Sequence, residues 1–274
     1  MIDLHCHLLP GIDDGSRDVG QSLEMARIAV AEGVTVVACT PHMTPGVYDN
    51  EGPDVRARVE ALQAEIDNAG ICLQVVAGAD VHVAPDLVAR LRSGLALSLN
   101  GSRYVLLETP HHVAPPRLEA LVFDLMSAGY VPVFTHPERL TWIDRNYDLI
   151  KRLFQSGVWM QITAGSITGR FGVRPRYWAE RMLDEGIVHV VASDAHDPVH
   201  RPPLFGEAYD ALTRRVGEAE ANNMVVYRPY GVLNDEAASS LAPPLALAGG
   251  RLVAASGLER PPFWRSVVEM WRGG

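Results

Sequence analysis

The sequence predicts an α/β fold built on a parallel sheet, and it favours a closed barrel over an open sheet. Seven short apolar runs alternate with longer stretches of helical periodicity. The runs are rich in Val, Ile and Leu at consecutive positions, as in strands that are buried on both faces of a parallel sheet. A Gly-x-Gly-x-x-Gly loop, which would favour an open dinucleotide-binding sheet, is absent from the sequence.

The predicted strands follow one another at regular intervals, over residues 2–5, 35–40, 73–77, 104–107, 131–135, 158–162 and 188–192. Helices are predicted between them, over residues 20–31, 53–69, 116–128, 147–156 and 175–185. Five strands are preceded by a glycine, which tolerates the left-handed conformation that ends many helices, at Gly33, Gly70, Gly129, Gly157 and Gly186. This repeated order indicates parallel strands joined by helical crossovers.

Composition and charge narrow the class of protein. The 274 residues are 47% hydrophobic and 21% charged, which is typical of a globular chain. A formal net charge of −9 argues against nucleic acid as a partner. The three cysteines, Cys6, Cys39 and Cys72, are too few for a disulfide framework, and none begins a Cys-x5-Arg phosphate loop. A thiol-based phosphatase of that type is therefore excluded.

The ends of the chain suggest its location and organisation. The N-terminus has no basic region or apolar signal core, and no apolar run approaches the roughly 20 residues that cross a bilayer. We therefore expect a cytoplasmic protein without membrane insertion. A barrel is expected over residues 1–227, and a C-terminal extension that packs on or flanks it over residues 228–274. Within this extension, residues 237–257 predict a mobile connection and residues 262–272 a short helix.

Side chains with metal-binding chemistry follow most of the predicted strands. His5 and His7 are two residues apart, so both imidazoles point the same way in an extended chain. Because the carboxyl-terminal ends of barrel strands meet at one face, donors that follow different strands converge there. Nine candidate ligands are expected at this face: His5, His7, Asp14, His42, Asp80, Glu108, His136, Asp194 and His196.

This donor set indicates a reaction class. Imidazoles and carboxylates without a thiolate suit Zn, Mn or Fe as divalent ions. Nine side chains exceed the ligands of one ion, so we expect two or three ions with a carboxylate bridging a pair. Clustered ions can generate hydroxide near neutral pH and can hold the oxygens of a phosphoryl group. The residues therefore predict metal-assisted hydrolysis.

The motifs resemble those of the PHP (polymerase and histidinol phosphatase) superfamily. They are most similar to its bacterial protein-tyrosine phosphatase branch, which belongs to capsule and exopolysaccharide operons. The matching segments run in order over about residues 1–225 and are Asp3-Leu4-His5-Cys6-His7, Gly11-Ile12-Asp13-Asp14-Gly15, Gly78-Ala79-Asp80, Ser102-Arg103-Tyr104 with Glu108, His136-Pro137-Glu138-Arg139, and Ala192-Ser193-Asp194-Ala195-His196 followed by Arg201-Pro202-Pro203.

The resemblance implies a trinuclear site on a distorted TIM-like barrel of seven strands. The three ions would be held by His5, His7, Asp80 and Asp194, by Asp80, Glu108 and His136, and by Asp14, His42 and His196. Manganese is the expected metal, with iron or zinc as alternatives. One departure affects the bridging position, which is usually Glu in this family. Because Asp80 is one methylene shorter, either the metals lie closer to the third strand, or the bridge is looser and the metal affinity changes.

Two arginines follow the candidate ligands closely. Arg139 comes three residues after His136, and Arg201 comes five residues after His196. A guanidinium fork matches two phosphate oxygens and stabilises the charge that grows in the transition state. Beside a metal cluster, both arginines are expected to bind phosphate, and the resemblance implies the same role.

The sequence thus predicts a phosphoric monoester hydrolase, a protein-tyrosine phosphatase in which a metal-bridged hydroxide attacks phosphorus. By resemblance, the substrate is the phosphotyrosine tail of an autophosphorylating kinase that controls polysaccharide export. The candidates for the general acid are a metal-bound water and a rim histidine such as His111 or His112. Two alternatives stay open: a PHP phosphoesterase for a small ester such as histidinol phosphate, and a phosphopeptide-binding protein whose catalysis Asp80 has weakened.

Overall fold

Strands and helices alternate along residues 1–249, the part of the chain that the structure, a computed structural model, describes. The strands are β1 (Ile2–Cys6), β2 (Val36–Cys39), β3 (His42–Met43), β4 (Gln74–Ala77), β5 (Asp80–His82), β6 (Tyr104–Glu108), β7 (Val131–Thr135), β8 (Trp159–Thr163) and β9 (Val190–Ala192). The α-helices are α1 (Val19–Ala31), α2 (Gly52–Asn68), α3 (Leu87–Ser93), α4 (Leu118–Ser127), α5 (Ile143–Gln155), α6 (Ala164–Ile167), α7 (Val173–Asp184), α8 (Gly206–Val216), α9 (Glu218–Asn222) and α10 (Arg228–Leu233).

The seven predicted strands are confirmed as β1, β2, β4, β6, β7, β8 and β9, and the five predicted helices as α1, α2, α4, α5 and α7. The sequence did not reveal that the second and third strands each continue, after a break, as the short strands β3 and β5. Pro41 causes the first break because it has no N–H to donate to a ladder. Its carbonyl still accepts a hydrogen bond from Asp80 N at 3.1 Å, which keeps β3 and β5 in register.

The strands form one curled parallel sheet that is interrupted at these breaks. The hydrogen-bonded orders are β1-β2-β4 and β3-β5-β6-β7-β8-β9. The chain after β9 returns to β1, where Asp194 N donates to His5 O and His7 N donates to Ala195 O, both at 2.8 Å. These bonds join the first strand to the last, so the distorted TIM-like barrel with seven strand positions is confirmed.

The interior of the barrel is apolar at one end and polar at the other. A buried cluster fills it with alternate strand residues, one residue of the turn before β6 and two residues of the C-terminal region. Its members are Ile2, Leu4, Val36, Ala38, Leu99, Tyr104, Leu106, Val133, Trp159, Val190, Val232 and Leu241. Glu108 follows Leu106 on the same face of β6, and Gln161 follows Trp159 on the same face of β8. The polar end is therefore the carboxyl-terminal one.

The C-terminal part of the described chain covers the apolar end. A helical stretch runs through α9, a π-helix over Asn223–Tyr227 and α10, and the predicted boundary between residues 227 and 228 falls inside it. Tyr104 donates its hydroxyl to Glu236 O at 2.9 Å. The division of the chain at residue 228 stays a prediction, and the helix expected over residues 262–272 lies outside the described residues. Among residues 1–249, no helix has the length and apolar character needed to cross a membrane.

Candidate metal centre

The structure brings all nine predicted donors together at the carboxyl-terminal ends of the strands. His5 and Glu108 lie at the ends of their strands, His42 lies in β3 and Asp80 in β5. The other donors lie in the segments that follow β1, β7 and β9. Five overlapping groups of side chains, each with its donor atoms within 4.8 Å of one another, include all nine residues and also His111.

Three acceptor atoms face one point in the first part of the site. The Nε2 atoms of His5 and His7 are 3.2 Å apart, and they lie 3.3 and 3.4 Å from Asp194 Oδ1. Both Nδ1 atoms are already engaged, that of His5 with Gln161 Oε1 at 2.8 Å and that of His7 with Asp13 Oδ2 at 2.7 Å. These acceptors favour the ring proton on Nδ1, so in the neutral rings each Nε2 presents a lone pair. Two imidazole nitrogens and a carboxylate oxygen at this spacing fit a metal cation between them.

Asp80 lies at the centre of the donor set. Its side chain is fully buried, and neither carboxylate oxygen has a hydrogen-bond partner among the described residues. Oδ2 lies 3.5 Å from His5 Nε2 and 3.6 Å from His42 Nδ1. Burial, and next the charge of Glu108, raise the pKa of Asp80 well above its usual value. An isolated buried carboxylate is expensive, so these oxygens fit ligation of a divalent cation.

A third set of donors lies toward the rim. Asp14 Oδ1 lies 3.3 Å from His42 Nε2 and 3.5 Å from His196 Nε2, and the Asp14 side chain is 48% exposed. On its other side, His42 places Nδ1 3.3 Å from Glu108 Oε2. Although burial lowers the pKa of His42, its hydrogen bonds to Asp14 and Glu108 raise that pKa to about 12. The carboxylates thus create a negative potential that favours cations here.

Two further histidines lie beside Glu108. His82 Nδ1 is 3.5 Å from Glu108 Oε2. His111 joins one group with Glu108 and His136, and its ring centre lies 5.4 Å from that of His136. His112, in contrast, is exposed. Of the two acid candidates, His111 is therefore the one that borders the metal donors.

Two of the nine candidate metal ligands have a strained backbone conformation. The φ angles of His136 and Asp194 are +36° and +51°, in the left-handed region that non-glycine residues rarely adopt. Such residues cost about 1–3 kcal/mol each and persist where the surroundings fix them. Asp194 is fixed by its backbone bond to His5, and the turn after His136 is anchored by Glu138. The buried carboxylate of Glu138 accepts from Thr163 N at 2.9 Å.

The two arginines lie side by side at the rim. Arg201 Nη2 is 2.7 Å from Asp194 Oδ2, and Arg139 Nη1 pairs with the same oxygen. The arginine side chains are 14% exposed at Arg139 and 25% exposed at Arg201, so they border both the donor cluster and solvent. Burial raises the pKa of Asp194, but His5, Arg139 and Arg201 together bring it well below the usual value. Asp194 therefore links the metal donors to the arginines.

Sequence reasoning missed several residues that orient the site. Asp13 and Gln161 fix the tautomers of His7 and His5, and Asp3 accepts from Ser193 N at 3.0 Å beside Asp194. A signal was available for two of them, because Asp3 and Gln161 are polar residues inside strands that are mostly apolar. Asp13 belongs to the motif of residues 11–15, but only the fold shows that it faces His7.

Replacing Asp13 with alanine is expected to weaken metal binding about 10- to 100-fold, the usual effect of losing a partner of a ligating histidine. The variant leaves His7 Nδ1 and the backbone N–H of His42 without their acceptor. Titration of metal-free protein with Mn²⁺ measures the change. Asp210→Ala, at an exposed position of α8, is the matched control. Equal affinities of both variants would show that Asp13 does not support a metal ligand.

The fold and the donor set define a class of protein: a TIM-like α/β barrel with a candidate metal centre at the carboxyl-terminal strand ends, where barrel enzymes have their active sites. A family model described as "Capsular polysaccharide synthesis, CpsB/CapC" matches residues 1–234. The chain belongs to this family, and the resemblance found in its motifs is confirmed.

Named relatives and solved structures agree with this assignment. The tyrosine-protein phosphatase YwqE of Bacillus subtilis (strain 168) is 38% identical over 217 residues, which cover 79% of this chain and 85% of YwqE. The tyrosine-protein phosphatase CpsB of Streptococcus pneumoniae is 25% identical over 241 residues, which cover 86% and 99%.

One matching solved structure has a TM-score of 0.83 and 36% identity. It comes from work on YwqE from Bacillus subtilis and CpsB from Streptococcus pneumoniae, which are described as "unique metal-dependent tyrosine phosphatases". The match covers 86% of this chain and 96% of that one. A probable 2-pyrone-4,6-dicarboxylic acid hydrolase from Acinetobacter baumannii, 17% identical with a TM-score of 0.51, covers 85% and 98% and shares the fold alone.

Proposed function

We propose that this chain is a metal-dependent protein-tyrosine phosphatase, a phosphoric monoester hydrolase. The observation that carries the proposal is the meeting of nine nitrogen and oxygen donors with two arginines at one barrel rim. Relatives named tyrosine-protein phosphatases, at 38% and 25% identity, support phosphotyrosine as the substrate.

The proposed metal ligands are His5, His7, Asp14, His42, Asp80, Glu108, His136, Asp194 and His196. Manganese is the first choice, and iron or zinc would also suit histidine and carboxylate donors. The number of donors fits two or three ions. When bound, divalent ions would activate water for attack on phosphorus and neutralise the charge of the phosphoryl oxygens.

Arg139 and Arg201 are the proposed phosphate-binding residues. Each guanidinium offers more N–H donors than its pairing with Asp194 uses, and each is partly exposed. Two forks that converge on one phosphoryl group stabilise its equatorial oxygens as charge develops during transfer. Asp194 keeps both side chains at the edge of the donor cluster before substrate arrives.

The leaving group sets a modest demand for proton transfer. A phenol with a pKa near 10 leaves more readily than an alkoxide. His111 is the proposed acid because it borders Glu108 and His136 and reaches the rim. Burial and the charge of Arg139 lower the pKa of His111 below its usual value, so the protonated ring that this role needs is a minor form near neutral pH.

The proposed physiological substrate is an autophosphorylating tyrosine kinase of polysaccharide export, in keeping with the capsular polysaccharide family of the chain. The proposed location is the cytoplasm, where ATP-dependent phosphorylation produces such a substrate. Cys6, Cys39 and Cys72 are all free thiols, as is usual in a reducing compartment.

Hydrolysis by metal-stripped protein, before and after addition of Mn²⁺, tests the proposal. We expect Mn²⁺ to restore turnover of a phosphotyrosine peptide but not of phosphoserine peptide or histidinol phosphate, and His136→Ala to abolish it. Turnover of histidinol phosphate alone would instead identify a small-ester phosphatase. Metal uptake and phosphopeptide binding without any turnover would identify a binding protein.

A further inference from the structure

One aromatic ring contacts both arginines of the site. Phe171 lies in the loop between α6 and α7. The centre of its ring is 4.4 Å from Arg139 Cζ and 5.9 Å from Arg201 Cζ. Both distances are within the range of cation–π contacts. Phe171 itself carries no metal donor and no phosphate-binding group.

The backbone around Phe171 fixes the ring in place. Gly169 and Gly172 flank it with φ angles of +85° and +93°, which glycine adopts without strain. Arg170 N donates to Gly165 O at 2.8 Å and closes the loop. A Cβ atom at Gly165 would lie 2.7 Å from Phe171 Cε2, so the ring packs directly on the glycine backbone. This loop is built to hold an aromatic ring at this position.

The two guanidinium groups need such support. They carry like charges and share a single carboxylate oxygen, Asp194 Oδ2. The negative face of an aromatic ring offsets part of their repulsion and keeps the guanidinium planes against it. Arg201 Nε is buried and has no hydrogen-bond partner within residues 1–249, so the pairing with Asp194 leaves this donor unsatisfied.

We propose that Phe171 is a positioning residue for phosphate binding, which holds the guanidinium groups of Arg139 and Arg201 so that both converge on one phosphoryl group. This inference rests on the proposed function, in which these two arginines bind the substrate phosphate. It adds an aromatic support that acts only through the arginines.

Phosphate binding to the metal-loaded protein tests the role of Phe171. Phe171→Leu is expected to weaken binding of inorganic phosphate about five- to tenfold by calorimetry, because both cation–π contacts are lost. The KM for a phosphotyrosine peptide should rise by a similar factor, and the metal content should not change. Phe171→Tyr should stay within about twofold of wild type. Phe123→Leu, at an exposed position of α4, controls for the substitution itself.

A double variant separates positioning from packing. In an Arg139→Ala background, Phe171→Leu should weaken phosphate binding by only about twofold or less, because the nearer guanidinium is gone. An undiminished loss in that background, an equal loss in Phe171→Tyr, or no phosphate binding by the wild type would overturn the inference. If phosphate binding responds as expected but phosphotyrosine is not hydrolysed, the proposed function fails and the role of Phe171 stands.

Discussion

Replacing Asp80 with asparagine is expected to lower kcat/KM for a phosphotyrosine peptide by about a thousandfold, or about 4 kcal/mol in transition-state stabilisation. The amide has nearly the same shape as the carboxylate, so the buried site keeps its packing. It lacks the negative charge that the proposed bridge between two cations would need. Mn²⁺ binding should weaken together with activity.

The same variant should not lose stability in the metal-free state. Within residues 1–249 the buried Asp80 carboxylate has no hydrogen-bond partner, and both burial and Glu108 disfavour its ionised form. An amide removes this charge and can donate to a neighbouring imidazole. We therefore expect the Tm of metal-free Asp80→Asn to equal or exceed that of wild type. A lower Tm would mean that Asp80 stabilises the fold rather than the metal centre.

Asp80→Glu is the control for charge at this position. It keeps the carboxylate while adding one methylene to a buried site. Extra volume of this size costs about 1–3 kcal/mol in a packed interior. Activity within about tenfold of wild type is expected. If the asparagine variant were as active as the glutamate variant, the bridging role of Asp80 would have to be abandoned.

Removal of the Arg228 side chain is expected to lower the free energy of unfolding by about 3–5 kcal/mol. This is the usual effect of leaving a buried charge, here the carboxylate of Glu220, without its partner. Arg228 is fully buried, and its Nη1 lies 2.8 Å from Glu220 Oε1. It also donates to His189 O, Ala242 O and Pro243 O at 3.0, 2.7 and 2.8 Å. Arg228→Ala would leave these acceptors unsatisfied at the apolar end of the barrel.

Urea unfolding of the full chain measures this change, with Arg103→Ala as the matched control. Arg103 also joins the barrel to the C-terminal region, through Asp235, but the two side chains are 40% and 51% exposed. An exposed pair contributes about 0–1 kcal/mol. In the double variant Arg228→Met with Glu220→Gln, part of the stability should return because no buried charge remains. Equal losses for Arg228→Ala and Arg103→Ala would contradict this account.

Much of the fold could be predicted from the sequence because its signals are local. Consecutive β-branched and aliphatic residues, such as Val105, Leu106 and Leu107, marked strands buried on both faces. Glycines such as Gly129 and Gly157, both with positive φ, marked the ends of helices before strands. The nine donors were also predictable, since parallel strands place their carboxyl-terminal ends at one face whatever the details of the packing.

Other features depended on contacts between residues far apart in the sequence. The breaks that create β3 and β5 place His42 beside Asp80, and the return of the chain from Asp194 to His5 closes the barrel. The buried pair of Arg228 with Glu220 resembles an ordinary surface pattern until the fold covers it.

The sequence by itself determined the class of fold, the chemical types of the candidate metal ligands and the choice of Arg139 and Arg201 as candidate phosphate-binding residues. It could do so because periodicity and side-chain chemistry are properties of the chain. The tertiary structure alone decided which groups orient them. Asp13 fixes the tautomer of His7, Gln161 that of His5, and Phe171 the guanidinium groups. These partners come from different strands and loops, and hydrogen bonds or ring contacts form only where the packed barrel brings their atoms within a few ångströms.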